Sequence, residues 1–145
     1  MAIDHRADLG AALLIERLVR EAYSERGPGS ITPLQWAILR ALGRSEDFSA
    51  TQGWIARFVN VTAAPVSRSI RALERHGAVI SQRDPEDGRQ VIVTLTPSGH
   101  DLLSKDPILT ISRRIGGLDG SQKVALRHAL QHLFLAPVAM DCSHG

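Results

Sequence analysis

Apolar residues recur at helical spacing between Asp8 and Glu25, where Leu9, Ala12, Leu13, Ile15, Leu18, Val19 and Ala22 make one broad stripe. The spacing predicts a long first helix ended by Gly27-Pro28-Gly29. Thr32-Pro33 then reads as an N-cap followed by proline at the first helical position, where an N–H is not needed. The helix it opens carries Leu34, Ile38, Leu39 and Leu42, and Gly43 is expected to stop it. Ser49–Phe58 is expected as a short helix with Trp54, Ile55 and Phe58, followed by Asn60 in a turn. Thr62–His76 is the next helix. Thr62 suits its cap, Pro65 falls in the tolerant first turn, Val66, Ile70 and Leu73 form a single stripe, and Gly77 ends it.

The period then changes from 3.6 to 2. Ala78–Arg83 and the β-branched Gln90–Leu95 read as two strands joined through the polar turn Asp84–Arg89. Thr96-Pro97 repeats the cap-then-proline signature and opens a helix with Leu102 and Leu103. Pro107 should kink or break it, and Ser112–Ile115 resumes helix before Gly116-Gly117. Ser121–Leu135 is the last helix, ended by Pro137. The chain is thus mainly α with a small β-hairpin (α+β): four helices, a hairpin and two more helices.

Composition adds limits to this picture. At 145 residues the chain has room for one domain, or one domain and a dimerisation arm. With 43% apolar and 22% charged residues it buries a core and is not a disordered polyelectrolyte. The one cysteine, Cys142, excludes an intrachain disulfide or a multi-cysteine zinc site and reads as a thiol on a frayed tail. The longest apolar runs, such as Gly10–Ile15, are too short to span a membrane, and Asp4, Asp8 and Glu16 are wrong for a signal peptide. A cytoplasmic protein with no membrane partner is expected.

Helix, short turn, helix and hairpin together make a winged helix-turn-helix. A major groove about 12 Å wide admits one helix, whose inner face must dock on its own domain while its outer face reaches base edges. Thr62–His76 fits that demand. With Val66, Ile70 and Leu73 inward, the outward residues are Thr62, Ala63, Ala64, Ser67, Arg68, Arg71 and Arg75. Methyl groups can touch thymine, serine can bond a base or phosphate, and arginine can fork onto guanine or hold the backbone.

Charge concentrates in the same place. Ala50–His76 holds four arginines and one acid, a net +3, so the rest of the chain carries −1 of the total +2. Such arginines are either an ordinary solvated face or phosphate contacts. The lack of an acid four residues from Arg68 or Arg71 tilts the balance to phosphate. The hairpin tip mixes Arg83 and Arg89 with Asp84, Glu86 and Asp87. It is either a plain exposed turn or one in which Asp87 pairs with Arg89 and aims its guanidinium outward, toward a narrow minor groove.

Five pieces in order resemble the MarR family of transcriptional regulators. They are Ile31-Thr32-Pro33-Leu34-Gln35-Trp36-Ala37-Ile38-Leu39, Val61-Thr62 with Val66-Ser67-Arg68, Leu73-Glu74-Arg75-His76-Gly77, Asp87-Gly88-Arg89, and Leu95-Thr96-Pro97-Ser98-Gly99. The resemblance covers about half the chain, from Ile31 to Leu103. It implies a homodimer whose residues 1–30 and 97–145 interlock, with a winged DNA-binding domain over 31–96. It also implies a recognition helix within Val61–His76, and Arg89 in the minor groove with Asp87 as its orienting partner. The protein would bind a pseudo-palindromic duplex site as a repressor. Gly53-Trp54, Pro65 and Pro107 depart from the family pattern, and Pro107 bears most directly on dimer geometry.

Many members of that family release DNA when a small aromatic or carboxylate ligand binds between dimer region and winged domain. Tyr23, Trp36 and Arg17, with His5, are the candidates for such a pocket, although an aromatic at helical spacing such as Trp36 is more often plain core. No cysteine near the first helix supports peroxide sensing. His128 and His132 stand i, i+4, the spacing of two metal ligands, but no carboxylate or cysteine lies beside them, so neither metal nor cofactor is expected. No nucleophile–base set and no phosphate-binding glycine loop argues for an enzyme. The alternative is a winged-helix protein-interaction module without specific DNA binding.

Overall fold

The structure, a computed structural model, describes residues 5–24 and 30–135. The expected Gly27-Pro28-Gly29 helix end, Pro137 and Cys142 lie outside the described residues. The elements in order are α1 (His5–Ala22), α2 (Pro33–Arg44), a 3-10 turn (Glu46–Phe48), β1 (Ser49–Thr51), α3 (Gln52–Val59), α4 (Ala63–Arg75), β2 (Val79–Arg83), β3 (Val91–Leu95), α5 (Pro97–Leu103), α6 (Ile108–Gly116) and α7 (Gly120–Leu135). This is a mainly helical chain with a small antiparallel sheet, a winged helix-turn-helix framed by terminal helices.

The caps act locally. Thr32 accepts the Gln35 N–H and Gln35 returns a bond to the Thr32 N–H, a reciprocal capping box before Pro33. Thr51 caps α3 through the Trp54 N–H, and Asn60 closes that helix in the left-handed region at φ 55°. Gly77, at φ 73°, turns the chain from α4 into β2.

The core consists of Trp36, Ile38, Leu39 and Leu42 of α2, Ile55 of α3, the α4 stripe Val66, Ile70 and Leu73, and Ala78, Val79, Val93 and Leu95 from the sheet side. Burial on this scale is the main force holding the winged unit together. By contrast α1, α6 and α7 contribute no buried residue. Leu9, Leu13 and Leu14 of α1 and Leu133, Phe134 and Leu135 of α7 are all more than half exposed.

Three expectations need correction. Gly43 does not end α2, which runs on to Arg44; the glycine instead admits Leu103, whose Cδ1 would lie 2.8 Å from an added Cβ. Ser49–Thr51 is a strand rather than the first turn of a helix. It pairs antiparallel with β3, Ala50 opposite Val93, giving the order β1-β3-β2. Two residues of the intervening turn, Asp47 and Phe48, have positive φ to make that entry. Finally, Pro107 does break the helix, but α6 restarts at once at Ile108 instead of near Ser112, so three helices follow the hairpin.

Candidate nucleic-acid interface

α4 separates two chemistries around its axis. Val66, Ile70 and Leu73 are buried, while Thr62, Ala63, Ala64, Arg68, Arg71 and Arg75 are exposed and Ser67 is half-buried. Thr62 holds the cap position with extended backbone, yet its hydroxyl makes no capping bond. Pro65 at the third helical position costs nothing, since its N–H would be unpaired there anyway. Arg71 Nη2 donates to Ser67 Oγ at 3.2 Å one turn back. Arg68 borders a small recess of about 260 Å³ shared with Thr32, Gln35 and Pro65.

Four ion pairs occur among the described residues: Arg17–Glu21, Arg20–Glu16, Arg40–Asp106 and Arg114–Glu21. None involves Arg57, Arg68, Arg71, Arg75, Arg83 or Arg89, so the winged unit presents six guanidinium groups with no carboxylate partner. An uncompensated cluster of this kind suits a polyanion.

The wing is built differently from its sequence expectation. Asp87 Oδ1 accepts the backbone N–H of Arg89 at 3.1 Å, and no carboxylate pairs with the Arg89 guanidinium. Asp84 Oδ1 accepts the Glu86 N–H at 2.9 Å in the same way. Two of the three acids at the tip therefore shape backbone turns, as aspartates in turns commonly do. Arg83 Nη1 reaches over to the Gly88 carbonyl at 3.4 Å, and the Asp84 N–H to Gln90 O bond of 2.9 Å closes the loop.

Thr96 ties the end of β3 to the turn that follows α4. Its hydroxyl donates to the Gly77 carbonyl at 2.6 Å and accepts the Gly99 N–H at 3.1 Å, while its own N–H bonds Ala78 O. Gly99 is required at this crossing, because a Cβ would sit 2.2 Å from Ala78 O.

Beneath the winged unit is an open cleft of about 740 Å³, between the ends of α1 and α4 and the α5–α6 corner. Tyr23 and Trp36 line it, along with Ile31, Leu102, Lys105 and His76, the residue that closes α4. Trp36 is also buried in the core, so it serves both readings. Arg17 does not line the cleft. It pairs with Glu21 on the solvent side, and this hydrogen bond, with the Arg17 and Arg114 charges, holds the Glu21 carboxyl below its ordinary pKa. His5 is exposed on α1 and lines nothing there either.

Sequence reasoning missed the bond network beside the cleft. Arg40 donates to both oxygens of buried Asp106, and its Nη2 also donates to the Tyr23 hydroxyl at 2.5 Å. Burial disfavours the Arg40 charge, but the Asp106 and Tyr23 bonds outweigh it and hold its pKa above the ordinary value. Asp106 also accepts the Ile108 N–H at 3.0 Å, which starts α6 straight after Pro107. Asp-Pro before an apolar run was a readable helix-start signal; Arg40 as its partner was not.

Residues 30–90 match the MarR family profile. No curated protein sequence matches the chain. Among solved structures, AbsC, a MarR family transcriptional regulator from Streptomyces coelicolor, is similar with a TM-score of 0.75 at 20% identity, covering 94% of this chain and 98% of its own. BpsR of Bordetella bronchiseptica, whose DNA binding is regulated by 6-hydroxynicotinic acid, gives 0.73 at 22% identity, covering 94% and 99%. Sco3205 of Streptomyces coelicolor, solved in complex with DNA, gives 0.70 at 19% identity, covering 94% and 89%.

Proposed function

With a winged helix-turn-helix of the MarR family across residues 30–90, we propose that the chain is a sequence-specific DNA-binding transcriptional repressor and not an enzyme. It acts in the cytoplasm as a homodimer on a pseudo-palindromic duplex site. The observation that carries this reading is α4: a fully buried stripe on one side, and on the other Arg68, Arg71 and Arg75 exposed without a carboxylate partner. That is the division a helix needs to dock on its domain and enter a major groove. Thr62, Ala63, Ala64 and Ser67 supply the small contacts at its start, while Arg83 and Arg89 extend the basic surface along the wing.

Residues 31–96 form the DNA-binding unit, and residues 1–30 and 97–145 the dimer region. The exposed leucines of α1 and α7 support this division, because helices with so much apolar surface and no buried residue need a second copy to cover them. The cleft is the site of a small aromatic or carboxylate effector. Trp36 and Lys105 line it, an indole and a cation, and so does the imidazole of His76, which ends α4 itself. BpsR responds to a ligand of that class.

The test is selection of sites from randomised duplex DNA by purified protein at about 150 mM salt, where phosphate-only binding is weak. A pseudo-palindrome with half-sites about one helical turn apart is the expected outcome. Binding that shows no sequence enrichment and simply decays with salt would overturn the reading in favour of a protein-interaction module.

A further inference from the structure

Near the end of α7, His128 and His132 turn their rings toward each other at an interplanar angle of 78°. Their Nε2 atoms stand 3.2 Å apart, and both side chains are exposed. No other described side chain bonds either ring. A tetrahedral zinc ion with metal–nitrogen bonds of 2.0–2.1 Å separates two of its nitrogens by about 3.3 Å. The pair therefore already has the span of a chelate.

We propose that His128 and His132 form a two-imidazole site for a first-row divalent transition ion, with Ni²⁺, Cu²⁺ and Zn²⁺ as the class that neutral imidazole nitrogens select. Without metal, one Nε2–H donates to the other Nε2. On binding, the donor ring carries its proton on Nδ1 instead, and both Nε2 lone pairs face the ion. Among the described residues no cluster of three metal donors exists. A bridge from residue 128 to 132 pins the last turns of α7, where Leu133, Phe134 and Leu135 are exposed.

The experiment uses the untagged full chain, stripped with chelator, and Ni²⁺ or Zn²⁺ alone as titrant in calorimetry. One ion per chain is expected, with His128→Gln and His132→Gln each weakening binding about 100-fold, the advantage of a second ligand at high effective concentration. His5→Gln and His100→Gln leave it unchanged. Slower hydrogen exchange in α7 on adding metal is the structural readout. Binding that survives both substitutions, or no binding below about 1 mM, overturns the proposal. No DNA enters this titration, so its failure leaves the regulator reading intact.

Discussion

Arg40 and Asp106, 66 positions apart, meet through two hydrogen bonds, Nε to Oδ2 at 2.5 Å and Nη2 to Oδ1 at 3.1 Å. They join α2, the first helix of the winged unit, to the corner between α5 and α6, with Tyr23 from the end of α1 on the same guanidinium. The carboxylate is almost fully buried and the guanidinium about a quarter exposed. The pair therefore fixes the α5–α6 corner and the end of α1 against the winged unit, beside the cleft.

Removing Arg40 strands a buried carboxylate. Arg40→Ala should cost about 3 kcal/mol, the low end for breaking a buried pair because Arg40 keeps some solvent. Asp106→Asn should lose less, since it retains an acceptor for the Ile108 N–H. Urea unfolding measures both; equal losses would show that the ionic pairing carries the whole effect and the retained acceptor adds nothing.

At the wing, the bond from the Arg89 N–H to Asp87 predicts a difference between two substitutions. Asp87→Asn keeps the acceptor and removes a negative charge, so duplex binding should stay equal or tighten. Asp87→Ala loses the turn and should bind more weakly despite the same change in charge. Fluorescence anisotropy at one salt concentration compares them. Equal tightening by both would mean that charge, not turn geometry, governs the wing.

Arg68→Ala with Arg89→Ala should remove about 2–6 kcal/mol of operator binding, if each guanidinium contributes about 1–3 kcal/mol. A substitution that removes only a phosphate contact should instead reduce the slope of log affinity against log salt by about 0.9. Arg71→Ala and Arg75→Ala are sorted by the same plot. Wild-type affinity in the double variant would discard this contact surface.

Two glycines should respond oppositely to alanine. Gly99→Ala drives a methyl to 2.2 Å from Ala78 O and should destabilise by about 1–3 kcal/mol. Gly53, inside α3 with open space around its missing Cβ, should gain up to about 1 kcal/mol. Thermal melting of both variants checks the signs.

Asp119 accepts the Gln122 N–H at 2.9 Å and the Ser121 hydroxyl at 2.7 Å, and the first of these does most to lower its pKa. A folded pKa below the unfolded one gives stability that is present above the ordinary aspartate value of about 3.9 and lost as the pH falls through the folded value. NMR titration should place the Asp119 carboxyl below its ordinary range, and Asp119→Ala should flatten the acid-side loss of α7 amide protection. A carboxyl titrating at its ordinary value would refute the cap.

The sequence by itself determined whatever is encoded within a few residues. The Thr32 and Thr96 caps, the Val66-Ile70-Leu73 stripe and the turn at Gly77 are such features, because a cap bond spans three residues and a helical stripe repeats every three or four. The Asp119-x-x-Gln122 cap was equally local and stood readable two residues before the expected start at Ser121. The tertiary structure alone decided the rest. A three-residue strand such as Ser49–Thr51 exists only because β3 returns beside it, and the 2.7 Å bond between the Ser49 and Thr94 hydroxyls spans 45 positions. Gly43 looks like a stop until Leu103 arrives against it. Arg40 reads as a surface cation until Asp106 closes on it. In each case the deciding partner is distant along the chain, and only the closure of that long loop shows which polar or apolar group it brings.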